Sequence, residues 1–118
     1  MKVESPLLLP AKEIATGKVK LIRVEDILYF HREQDKVVIH TIDKVYTPLK
    51  SLNDYYQLLQ AYGFDKLDKS NIVNLKQITT YDSNRRCAQF RKGRSVKKVS
   101  VSRRNAFKIK RLKTVRKL

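Results

Sequence analysis

The chain has 118 residues, 42% hydrophobic and 32% charged, with a formal net charge of +16. That length suits one domain with a real core, and the mix of apolar and charged residues excludes a disordered chain. No apolar run approaches the ~18 residues of a membrane helix, Pro6–Pro10 is too short for a signal-peptide core, and the lone Cys87 supports neither a disulfide framework nor a zinc site, which fits a reducing, cytoplasmic setting.

Short strands are predicted first. Residues 18–24 (KVKLIRV), 27–31 (ILYFH), 36–42 (KVVIHTI) and 44–49 (KVYTPL) are rich in valine, isoleucine and aromatics, and polar turns such as Arg32–Asp35 separate them. Asp43-Lys44 could join two of them in a tight hairpin. The period then changes: Leu52, Tyr55, Tyr56, Leu59 and Tyr62 fall on one face of a helix over 51–62, a face that reads as core. Ser51 is its N-cap and Gly63 its stop. Strands return at 77–81 (QITTY), 87–91 (CAQFR) and 97–101 (KKVSV), joined by the turn after Tyr81 and by a hairpin turn holding Gly93. From Ser102 the chain reads as a basic helix with Ile109, Leu112, Val115 and Leu118 as its apolar stripe. The expected architecture is a single, mostly β domain over 1–118, with one short amphipathic helix and a basic C-terminal helix.

Charge is placed very unevenly. Residues 1–60 carry nine Lys/Arg against eight Asp/Glu, whereas residues 61–118 carry 18 against three, and no acidic residue follows Asp82. Crowded like charges repel, so such a run implies a polyanionic partner, with nucleic acid foremost. A solvated face normally mixes both signs, and a membrane-surface helix would need an exposed Trp/Phe face that this segment lacks. An RNA-binding or ribosome-associated protein is the alternative, although RNA readers display aromatic platforms and most of the six Tyr and four Phe here fall at core positions.

Catalytic chemistry finds little support. Gly17, Gly63 and Gly93 are too far apart for a phosphate loop. His31 and His40, on neighbouring predicted strands, lack a third ligand. Asp65, Asp68 and Asp82 each sit in a turn where aspartate serves local hydrogen bonding, which argues against a metal-dependent nuclease. Neither an enzyme nor a cofactor, metal or small-molecule substrate is expected.

Three stretches in order carry a family resemblance. They are Asp26-Ile27 entering an aromatic strand, Ser70–Asn74 followed by Ile78, and Val101-Ser102-Arg103-Arg104 after the last hairpin. Over about residues 8–110, with 111–118 as a basic tail, the chain resembles the LytTR DNA-binding domain of bacterial transcription regulators. The resemblance implies an elongated LytTR-like fold of three small antiparallel sheets that presents loops along one edge. It also implies sequence-specific binding of double-stranded DNA, with loops in successive major grooves of a direct-repeat operator, the connecting turn across the minor groove, and no recognition helix.

Carried onto this sequence, the resemblance places base contacts at Lys36 in the 32–36 loop, at Lys69 with Ser70 beside it, and at Arg103 or Arg104. Phosphate contacts fall on Arg32, Gln34, Lys66, Asn71, Ser102, Lys108 and Arg111. Lysine stands at two positions where some relatives carry His or Asn, and lysine can still donate to guanine O6 and N7. The arginine fork suits guanine or phosphate, and a strand-to-helix junction at Arg103-Arg104 would turn backbone N–H groups toward an anion. Asn74 reads instead as a cap on local backbone. Most LytTR domains follow a receiver domain, for which this chain has no room, so either a free-standing regulator or a domain of a longer one is expected. Expected partners are duplex DNA, a second copy on an adjacent repeat, and a membrane or other inhibitor protein; the expected place is the cytoplasm, on the nucleoid.

Overall fold

The structure, a computed structural model, describes residues 7–118. Its elements are β1 (Leu8–Glu13), β2 (Val19–Arg23), β3 (Tyr29–Glu33), β4 (Lys36–His40), β5 (Val45–Pro48), α1 (Leu52–Leu59), β6 (Phe64–Asp65), β7 (Asn71–Asn74), β8 (Thr80–Asp82), β9 (Cys87–Lys92), β10 (Ser95–Ser100), α2 (Phe107–Lys110) and β11 (Arg116–Lys117). Seven strands form one sheet in the order β2-β1-β5-β4-β3-β7-β6, and four form a second in the order β10-β9-β8-β11. All pairings are antiparallel except β11 on β8. There are thus two sheets among the described residues, not three. The register Ala11–Pro48 to Glu13–Tyr46 joins the β1-β2 hairpin to the neighbouring strands in one continuous sheet.

Local chemistry explains most of these boundaries. The Ser51 side chain accepts from the Asp54 N–H at 3.2 Å, so the helix begins where an N-cap is available. Leu52, Tyr55 and Leu59 are buried as the stripe predicts, but Tyr62 is 45% exposed. The last turn, Gln60–Tyr62, tightens to a 3-10 helix and carries Tyr62 off the stripe before Gly63 ends it at φ 90. The β3-β4 turn is only Gln34-Asp35, because Glu33 already pairs with Lys36, and Gln34 takes φ 55 to close it.

β3 and β7 pair side by side and face two cores. Phe30 and Ile72 turn toward α1, where they pack with Ile39, Tyr55, Leu59 and Phe64. Tyr29 and Val73 turn the other way, into a cluster with Phe90, Val99, Val101, Ile109 and Val115 beneath the four-stranded sheet. Each such side chain removed from water contributes about 1.5–3 kcal/mol, so these two strands anchor everything attached to their ends.

The C-terminal segment departs from the sequence expectation. Helix occupies only Phe107–Lys110, preceded by a 3-10 turn at Arg103–Asn105. The chain then turns, and 116–117 pair in parallel with β8, with Arg116 N donating to Thr79 O and Leu118 N to Tyr81 O. Ile109 and Val115 are buried, but Leu118 is exposed. A helix continued to 118 would stack Lys110, Arg111, Lys113, Arg116 and Lys117 at three- and four-residue spacings, where like charges repel. The strand pairing instead closes one edge of the smaller sheet.

Candidate nucleic-acid interface

Three polar segments far apart in sequence are hydrogen-bonded to one another. The β3-β4 hairpin meets the loop before β7 where Arg32 N donates to Ser70 O at 2.8 Å. That loop meets the segment after β10 twice: Ser102 N donates to Leu67 O at 2.7 Å, and the Asn71 amide donates to Ser100 O at 2.9 Å. Lys36, Lys69 with Ser70, and Arg103 with Arg104 therefore stand on three neighbouring elements of one edge. Lys36, Lys69, Arg103 and Arg104 are exposed and Ser70 is half-buried. Arg103 and Arg104 lie in the three-residue 3-10 turn and not at the head of a longer helix.

The segment Asp65–Asn71 is held rigidly by its own side chains. Asn71 is 0% exposed. Its Oδ1 accepts from Leu67 N at 3.1 Å and Asp68 N at 2.9 Å, while its Nδ2 is committed to Ser100. No polar atom of its amide is left without a partner, which does not favour a phosphate contact at Asn71 and ties the Lys69-Ser70 loop to Ser100. Asn74 behaves as expected, with Oδ1 accepting from Lys76 N at 3.3 Å and Nδ2 donating to Ile27 O at 3.0 Å.

The other phosphate candidates divide by how far the protein already engages them. Arg32, Gln34 and Arg111 are exposed, the last with its guanidinium 5.9 Å from the Phe107 ring. Ser102 is half-buried, its hydroxyl accepting from the Asn105 amide at 2.9 Å. Lys66 lies 4.6 Å over the Tyr56 ring. Lys108 is the most engaged: its Nζ lies 3.1 Å from Asp65 Oδ1 and 3.0 Å from Lys66 O, with 17% of its side chain exposed. The geometry makes Lys108 a brace between α2 and this loop, which does not favour a phosphate contact there.

The three acids of the basic half are each engaged by the protein, although only Asp68 lies in a turn, Asp65 and Asp82 being the last residues of β6 and β8. Asp65 accepts from Lys66 N and from Lys108, Asp68 accepts from Lys69 N at 2.6 Å, and Asp82 accepts from Asn84 N and Arg85 N. Their charge is thereby tied to backbone or to a lysine, leaving the edge strongly cationic. At the hairpin, Glu33 is held below the usual carboxylate range, first by its hydrogen bond with His40. His31 and His40 do approach a common residue, Glu33, whose Oε2 lies 3.7 Å and 2.7 Å from them.

What the sequence did not disclose is the positioning network. Leu67 is fully buried and its carbonyl anchors Ser102, while Ser100 anchors Asn71. The available signal was an asparagine directly preceding the buried pair Ile72-Val73, a setting in which burial forces the amide to find partners. A cleft of about 770 Å³ between the two sheets, lined by Arg23, Asp26, Thr41, Asp43, Gln77 and Arg91 among others, holds none of these edge residues.

Comparison with known families matches residues 17–114 to the model of the LytTr DNA-binding domain. Among solved structures, a LytTr DNA-binding domain from Bacillus cereus is similar in fold, with a TM-score of 0.69 over 91% of this chain and 95% of its own, at 18% identity. No curated protein matches the sequence.

Proposed function

The chain belongs to the LytTr DNA-binding domain family, and from that premise we propose that it is the sequence-specific DNA-binding part of a bacterial transcription regulator, acting through the edge formed by the β3-β4 hairpin, the 66–70 loop and the 102–104 turn. Lys36, Lys69, Ser70, Arg103 and Arg104 take base edges. Arg32, Gln34, Ser102 and Arg111 take phosphates, with Lys66 nearby. One observation carries this assignment: the hydrogen bonds from Arg32 to Ser70, Asn71 to Ser100 and Ser102 to Leu67 set these segments side by side. Cationic side chains on a preformed edge bind a duplex without the cost of ordering loops.

The edge offers no long helix, so its segments enter grooves as loops. The long dimension of the protein, 45 Å, exceeds one helical turn of DNA, about 34–36 Å. As an upper bound on the reach of any one face, this length supports one copy covering about one helical turn and a site built of two direct repeats, one copy of the chain on each. Burial of the aromatics weighs against a single-stranded RNA partner: only Tyr62 and Phe107 are exposed among the Tyr and Phe residues.

Selection of bound duplexes from a random pool tests the proposal. The expected result is an enriched pair of imperfect direct repeats. An unenriched pool, or single-stranded RNA competing better than duplex, would overturn it.

A further inference from the structure

We propose that the β8-β9 turn, residues 83–86, is an additional DNA-backbone contact on the same edge, with the Arg86 guanidinium taking a phosphate beside the bases assigned to Arg103 and Arg104. The inference rests on the preceding assignment of that edge. Its first support is placement. Val101 N donates to Arg86 O at 2.9 Å, and the next backbone link along the chain is Ser102 N to Leu67 O. The turn is therefore fastened one residue before the Ser-Arg element.

The second support is what the turn does not need. Its hydrogen bonds use the Asp82 carboxylate, which accepts from Asn84 N at 3.0 Å and Arg85 N at 3.2 Å, the Ser83 hydroxyl, which donates to Leu118 O at 3.4 Å, and the Arg86 carbonyl. None of them involves the Arg86 side chain. Yet Arg86 sits at φ 50, a region in which Cβ crowds the backbone and glycine or asparagine is the usual occupant. Its side chain is exposed, and among the described residues no carboxylate is within ion-pair distance of it. Arg85 differs, with Nε 3.9 Å from Asp82 Oδ2. An arginine where glycine would relax the backbone adds one thing only, a fork of donors in solvent, whose natural acceptor on a duplex is a phosphate.

The third support is contrast. The other end of β9 carries Arg94, also exposed and beside Gly93 at φ 59. Six strand residues separate the two turns, roughly 20 Å at the rise of a strand. Both ends are basic, but only the Arg86 end is bonded to the edge.

The test titrates the parent, Arg86→Gly and Arg94→Ala against a selected duplex and a scrambled one over a range of salt. Arg86→Gly should melt no lower than the parent and weaken both duplexes alike, roughly three- to tenfold at low salt, while the slope of log K against log salt falls by about 0.9. Arg94→Ala should leave the slope unchanged. The inference is overturned if Arg86→Gly binds like the parent, if it melts well below the parent, if it loses affinity for the selected duplex alone, or if Arg94→Ala lowers the slope equally. A parent without site preference would instead remove the assignment of base-reading residues, and the Arg86 contact would still be measurable on any duplex.

Discussion

The Lys97 ammonium lies 3.1 Å from Nδ1 of His40, whose Nε2 lies 2.7 Å from Glu33 Oε2. An ammonium only donates, so Nδ1 accepts and the ring proton sits on Nε2, donated to the Glu33 carboxylate. The neutral ring stacks on Tyr29 at 4.5 Å and ties the smaller sheet to the β3-β4 hairpin. Burial holds His40 below the ordinary histidine value, with Lys97 adding to that effect and Glu33 opposing it. Burial likewise lowers Lys97, against the attraction of Asp43 and Glu33.

Acid should therefore weaken the fold. Unfolded His40 gains its proton near the ordinary value of 6.5 while the folded ring resists, so the unfolded chain binds more protons and stability falls as pH drops through 6.5. Glu33 adds to this lower down. Its contribution is present above 4.5 and is lost as pH falls through its depressed folded value. Melting temperature should decline from about pH 8 to about pH 5, and His40→Gln, which keeps a donor for Glu33, should flatten the upper part of that decline. A variant with the parent's slope would place the titrating group elsewhere.

Asn71→Ala should be costly for its size. It leaves Leu67 N, Asp68 N and Ser100 O without their partners, and unsatisfied buried groups of this kind predict a loss of about 2–4 kcal/mol. Urea unfolding measures it; a loss below about 0.5 kcal/mol would mean that water replaces the amide.

Lys69 and Ile72 should separate binding from folding. Lys69 is exposed and Ile72 is fully buried. Lys69→Ala should melt like the parent and lose about 1–3 kcal/mol on the selected duplex only. Ile72→Ala should lose about 2–5 kcal/mol of stability, with a binding defect that disappears once corrected for folded fraction. If Lys69→Ala retains full affinity for its site, base contact passes to the hairpin and Lys36.

Arg103→Ala and Arg104→Ala should each cost about 1–3 kcal/mol on the best site and relax base preference there. Lys113→Ala and Arg116→Ala, exposed beyond α2, should weaken every duplex slightly and equally. Uniform losses from all four variants would reduce the Ser-Arg element to a phosphate clamp.

Elements announced by a local period were legible in the sequence. The Leu52–Leu59 stripe with its Ser51 cap gave α1, while the alternation of Ala88 and Phe90 in β9 and of Val99 with its polar neighbours in β10, either side of the Gly93 turn, gave that hairpin. β1 was hidden because its inward residues are Leu9, Ala11 and Glu13 and its outward ones Leu8, Pro10 and Lys12, a pattern with no apolar alternation. Buried Glu13 accepts from Thr16 Oγ1 at 2.8 Å and pairs with Lys20 at 3.2 Å and Lys44 at 3.4 Å, the last of these thirty-one residues away. β11 was hidden for a related reason: its partner β8 lies over thirty residues back, while Ile109, Leu112 and Val115 imitate a helical stripe. At the candidate edge, Lys36, Lys69, Arg103 and Arg104 were placed by the family resemblance, and their exposure is what charged side chains predict. The burial of Asn71 could not be read from residue type, since it depends on Ser100.

The common wall of β3 and β7 has a consequence for dissecting the protein. Cutting at Gly63 would leave the first piece with Tyr29 and Leu28 facing solvent, and the second with Phe64 and Ile72 stripped of α1. Neither piece would keep both sides of its wall strand dry. Split there, the two fragments should each be largely unstructured alone and regain order on mixing. DNA binding would then report fragment complementation, because the hairpin bearing Lys36 and the loops bearing Lys69 and Arg103 come from opposite pieces.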